Sequence, residues 1–241
     1  MNQEATKISS IVAGVMFYTT ARHAKALEIA YVISEQELTI NLHADGSASV
    51  TECLTYESYH AETFHHTLHL LDYNIHHLTI HRVDPLTAKK LPLTLSTDRS
   101  LLTYQVVEDS DDLQRLQLYY PSKHEPISFM FAYEIDNFVT TYADLAELTA
   151  LQTEAGLIQE EVDFTATIQL PELFCEEEAC QAQLINLGPQ AQLSFELNAI
   201  RIGIPATAMT KYSAIAIQLS KEYFPQNPNQ FPDQVFSTNK D

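Results

Sequence analysis

Seven of the ten histidines of this chain lie between His60 and His81: His60, His65, His66, His69, His76, His77 and His81. Imidazole is a good ligand for zinc, copper or nickel. Residues four apart in a strand share a face, so His65 with His69, and His77 with His81, form two pairs of donors. A hairpin turning at Asp72-Tyr73-Asn74 would set these pairs opposite one another as a surface site for zinc or copper. The plainer reading is a polar, solvent-facing set, because the spacing follows no fixed metal-ligand pattern. A third reading is a surface effect: imidazoles that charge as the pH falls to between about 5 and 6 would move an acidic surface toward neutrality.

Carboxylates offer less. On a helix, Asp144 and Glu147 would project together, an arrangement able to exchange protons or hold a hard cation. Solvating the outer face of an amphipathic helix is their more ordinary role. Glu134 and Asp136 are equally ambiguous. For nucleophilic catalysis there is no Gly-x-Ser-x-Gly elbow, and no cysteine is flanked as in thiol enzymes. Five glycines could hardly build a phosphate loop. Of the three cysteines, Cys53 sits in an apolar strand as a small buried hydrophobe. Cys175 and Cys180 either close a small disulfide loop or remain free thiols, since spacing alone does not fix geometry.

A formal charge of −19 opposes binding to nucleic acid or to anionic lipid, because both need clustered Lys and Arg. At 241 residues and 45% hydrophobic content the chain can bury a sizeable core.

The elements that position these groups are short strands. Val50 and Leu54 mark the strand returning from the Asp45-Gly46 turn, a strong hairpin signal. Val162, Phe164, Ala166, Ile168 and Leu170 alternate in the same way. From Ile127 to Val139 both faces are apolar, as in a central strand; then Tyr142, Leu145, Ala146, Leu148 and Leu151 fall at helical spacing, which predicts a short helix over 141–151. Residues 1–26 read as an export signal or an N-terminal helix, residues 27–224 as a β-sandwich, and residues 225–241 as a mobile tail. The fold class is therefore all-β, an antiparallel sandwich with one short helix. No apolar run is long enough to span a membrane.

Three places carry a family resemblance: Leu42–Glu52, with its Asp-Gly turn before Val50-Thr51-Glu52; Tyr133–Val139 followed by Asp144–Leu148; and Val162–Pro171. In order and spacing they resemble the N-terminal domain of the YciQ-like family of predicted bacterial membrane proteins, a domain of unknown function. Asp45, Gly46, Asp144 and Glu147 are structural residues in this resemblance. Family members usually carry a tryptophan after the Asp…Glu-Leu segment, where this chain has none, and they continue into transmembrane helices. The resemblance implies an all-β domain on the extracytoplasmic side; with no catalytic motif in the chain, the reading is a non-catalytic recognition or structural module of the bacterial cell envelope, whose partner is an envelope protein or peptide. The rival readings are a metal-binding protein using the histidines, an enzyme with a concealed site, and a cytoplasmic location.

Overall fold

The computed structural model describes residues 31–231 apart from 59, 70–73, 110–112, 123, 144, 154–162, 172–179, 186–189, 206–212 and 228–229. Residues 1–26, where a signal or helix is expected, lie outside the described residues. The strands are β1 (Tyr31–Leu42), β2 (Ala48–Ser58), β3 (Ala61–His69), β4 (Ile75–Val83), β5 (Lys90–Pro92), β6 (Thr94–Leu95), β7 (Thr103–Asp109), β8 (Leu113–Ser122) and β9 (Pro126–Ile135). The second half adds β10 (Thr140–Tyr142), β11 (Leu145–Thr153), β12 (Asp163–Gln169), β13 (Cys180–Ile185), β14 (Gln192–Glu196), β15 (Ala199–Ile204), β16 (Ser213–Ser220) and β17 (Gln230–Phe231). The protein is all-β. Its helical content among the described residues is a 3-10 turn at Lys221–Tyr223.

Three sheets result. The largest has the order β14-β15-β12-β1-β2-β9-β4-β5, the second β13-β16-β11-β10-β17 and the third β3-β8-β7-β6. Most neighbours are antiparallel, but β1–β12, β6–β7 and β10–β17 run parallel. The arrangement is sandwich-like, with mixed rather than purely antiparallel sheets.

Local sequence explains the inner faces. In β2, Ala48, Val50, Glu52, Leu54, Tyr56 and Ser58 are buried and the residues between them are more exposed, the period-two pattern of a strand with one face in the core. Phe64 of β3 packs on Tyr31, Tyr56 and Phe129 at ring separations of 4.9, 5.1 and 5.4 Å, joining the third sheet to the first. Each such buried ring contributes roughly 2 kcal/mol by leaving water. Ala146, Leu148, Ile217 and Leu219 bring the second sheet into the same buried cluster.

The helix expected over 141–151 does not form. β11 pairs along its length with β16, Ala146 opposite Leu219 and Leu148 opposite Ile217. Ala146 and Leu148, two apart, face the core. A bulge between Thr149 and Leu151 then shifts the register by one. A fresh strand start followed by a bulge thus imitates helical spacing, while Thr140, Thr141, Thr149 and Thr153 favour the strand.

The β1–β2 turn is closed by His43 N–H donating to Ser47 O at 2.9 Å, with Gly46 at φ +80°. Part of the expected tail packs against this turn. Asn227, 1% exposed, donates from Nδ2 to Val139 O and Thr141 Oγ1 at 2.8 and 2.7 Å, and Gln226 N–H donates to Ala44 O. β17 then pairs with β10. Residues 232–241 lie outside the described residues.

Candidate functional site

The histidines part company in the fold. β3 pairs with β8 in the third sheet and β4 with β9 in the first, so the hairpin that would unite His65, His69, His77 and His81 does not exist. His65 is half-buried, and burial first, then the Arg115 charge, lowers its pKa. His69 closes β3. His77, at φ 53° within a register shift, bonds Glu134 Oε2 through Nδ1 at 2.8 Å, while His76 Nε2 meets Asp136 Oδ2 at 2.6 Å. His81 lies opposite Met130 and Pro92. Among the described residues, no three His, Cys, Asp or Glu side chains are grouped to hold a metal ion.

The other sequence-predicted residues scatter as well. Asp144 and Cys175 lie outside the described residues, and with them the Cys175–Cys180 disulfide; Cys180 opens β13. Glu147 sits on a strand, half-buried, and burial raises its carboxyl pKa; the helical acid pair with Asp144 is thereby overturned. Asp45 serves the turn: it accepts from Ser47 Oγ at 2.6 Å and from Ser47 N–H at 3.0 Å, and these bonds hold its carboxyl below the usual range. Cys53 is a free thiol whose pKa burial, then Glu37 and Glu52, push up to about 11.

Two polar constellations escape a reading by spacing. The first is internal. Glu52, 0% exposed, stands on the inward row of β2 between Val50 and Leu54. Its Oε1 accepts from Gln36 Nε2 at 2.8 Å. Its Oε2 lies 3.2 Å from His66 Nε2 of β3, yet neither atom makes a well-aligned hydrogen bond and His66 Nδ1 has no partner. The His66 ring lies against Phe131 with centroids 4.1 Å apart. Burial, with the Glu52 charge adding, raises Tyr133 well above the ordinary phenol range. The signal was Glu52 in phase with Val50, Leu54 and Tyr56.

The second opens to solvent. Arg82 follows Ile80 by two on β4, so it continues the inward row, and it lies opposite Phe129 and Leu91. At this end of the sandwich it lines a cleft of about 250 Å³ together with Tyr120, Pro121, Ser122, Glu125, Pro126 and Ile127. The guanidinium carbon lies 5.2 Å from the Tyr120 ring centroid, within cation–π range. Among the described residues its Nε is buried without an acceptor, and its ion-pair contact is Asp84 Oδ2 at 3.6 Å. Asp84 Oδ1 accepts from Leu86 N–H, Thr87 N–H and Thr87 Oγ1, and Oδ2 is the oxygen turned toward Arg82. Ser122 Oγ donates to Glu125 O at 3.1 Å, across a turn in which His124 takes φ 54°. The sequence clue is an arginine in phase with Ile80, but it does not reveal the ring of Tyr120 across the sheets.

Fold and cleft together define an all-β, sandwich-like domain with a charged recess at the end of two facing sheets. Its family is narrower: residues 32–220 match the model of the DUF2207 family, the N-terminal domain of predicted membrane proteins, and the chain belongs to that family. Among the described residues no helix is long and apolar enough to cross a membrane. A crystal structure of a "putative nutrient binding protein" from Legionella pneumophila aligns with TM-score 0.48 and 8% identity, over 86% of this chain and 71% of that one. That likeness is too low to inform function. No curated protein matches the chain.

Proposed function

We propose that this domain is a non-catalytic recognition module on the extracytoplasmic side of the bacterial envelope, and that it takes its ligand in the cleft between β4, β8 and β9. The observation that carries the reading is Arg82: a side chain 18% exposed, its guanidinium carbon 5.2 Å from the Tyr120 ring centroid, with a buried Nε–H that has no acceptor among the described residues. An unmatched buried donor costs roughly 1–3 kcal/mol, and an acceptor brought by a ligand that draws the guanidinium round would remove that cost. The walls join polar groups of Arg82, Ser122 and Glu125 to apolar surface from Pro121, Pro126 and Ile127, a mixture that suits binding. Membership of a predicted-membrane-protein family supports a site at the envelope. The acidic surface makes a protein, peptide or small-molecule partner a better fit than nucleic acid or anionic lipid.

A thermal-shift screen of small carboxylates, amino acids and short peptides tests this, using the full chain and its Arg82→Gln variant. At least one compound raises the melting temperature of the first and not of the second. A screen in which every stabilising compound acts equally on both proteins contradicts the reading.

A further inference from the structure

We infer that the cleft is built for a zwitterion, a free α-amino acid with an apolar side chain; this rests on the recognition reading above. Two opposite charges line one recess and do not neutralise each other. Arg82 and Glu125 both border the cleft. They form no ion pair together, and Arg82 has its sole ion-pair contact among the described residues with Asp84 at 3.6 Å. Glu125 makes no side-chain hydrogen bond or ion pair among the described residues. In a protein with 13 basic and 32 acidic residues, Arg82 is held by one ion pair at 3.6 Å, to Asp84, and not by the Glu125 that shares its recess.

A ligand carrying only a carboxylate would satisfy Arg82 and be repelled by Glu125. One carrying only an amine would meet the reverse. An α-amino acid presents both groups on one carbon: the carboxylate accepts from the guanidinium, in the planar geometry that Arg favours, and the ammonium donates to Glu125. The Ser122 Oγ bond to Glu125 O fixes the backbone from which the Glu125 carboxylate projects.

Size and wall chemistry narrow the class. The recess, about 250 Å³, falls below the roughly 300–1,000 Å³ of clefts that hold drug-sized ligands. Pro121, Pro126 and Ile127 supply apolar walls, against which an aliphatic side chain leaves water. Tyr120 closes another side of the recess, its ring centroid 5.2 Å from the guanidinium carbon.

Isothermal titration calorimetry of the full chain with L-leucine, L-alanine, propionate and ethylamine tests the inference. Leucine binds, and propionate and ethylamine bind at least about tenfold more weakly. Arg82→Gln and Glu125→Gln each weaken leucine by about tenfold or more, with circular dichroism showing both variants folded. Glu125 is exposed, so its variant keeps the test open even where Arg82→Gln unfolds. Equal affinity for leucine and propionate, unchanged in Glu125→Gln, overturns the zwitterion and leaves an anion-recognising cleft standing. No heat with any of these compounds also overturns it, and the recognition reading falls as well only if the wider thermal-shift screen finds no Arg82-dependent ligand.

Discussion

Glu52 of β2 and His66 of β3 meet at 3.2 Å in the interior, each contributed by a different sheet. Neither reaches solvent to any useful extent, and Gln36 holds the far oxygen of the carboxylate. Replacing one member alone strands the other in an apolar setting. Glu52→Ala is expected to cost about 3–5 kcal/mol of folding free energy. The pair replaced together, Glu52→Leu with His66→Leu, costs much less than the sum of the single changes. Urea denaturation of the four proteins measures this, and strict additivity would sink the idea that the pair couples the two sheets.

Gly46 has two reasons to be glycine. Its φ of +80° suits no β-carbon, and a β-carbon there would stand 2.5 Å from Asn227 Nδ2. Gly46→Ala is expected to destabilise by about 1–3 kcal/mol. Combined with Asn227→Ala, which clears the space, the loss falls short of the two single losses added. A double-mutant cycle by thermal unfolding checks this; an additive cycle would mean that Asn227 does not rest on the turn.

Cys53 should be nearly inert. With its pKa pushed to about 11, its thiolate fraction at pH 8 is at least about a hundredfold below that of an ordinary thiol. Alkylation by iodoacetamide in the native state, followed by peptide mapping, should leave Cys53 unmodified until denaturant is added. The thiol is half-buried, on the outer row of β2 rather than in the core, and rapid native labelling there would contradict this account.

Glu147 gives a pH dependence of defined sign. Burial raises its folded-state pKa, so its favourable contribution is complete below the unfolded carboxyl range and is lost as pH rises through the folded value. At pH 7 the charge is therefore a net cost, and Glu147→Gln is more stable than the parent. Because the group keeps considerable solvent contact, the gain is below about 1 kcal/mol. Melting curves show the gap closing under acid conditions; a gap that widened there would reverse the sign and refute the account.

The alternation of β2 and β12 could be read directly, as could the Asp45-Gly46 turn, because these depend on residues close in sequence. The segment at 141–151 could not: a strand restart and a bulge at Thr149 produced helical spacing, and only pairing with β16, far along the chain, shows it to be a strand. The histidines misled for a related reason. β3 and β4 are neighbours in sequence, yet each finds its partner elsewhere, β3 in β8 and β4 in β9. Arg82 and Glu52 were detectable as charged residues in apolar phase, but what faces them, Tyr120 and His66, comes from another sheet.

The most direct test of the cleft as an amino-acid site is a ¹⁵N nuclear magnetic resonance titration of the full chain with L-leucine. The account predicts saturable shifts concentrated at Arg82, Tyr120, Ser122, Glu125 and Ile127, absent in Arg82→Gln. Shifts centred elsewhere, or equal in the variant, would contradict it.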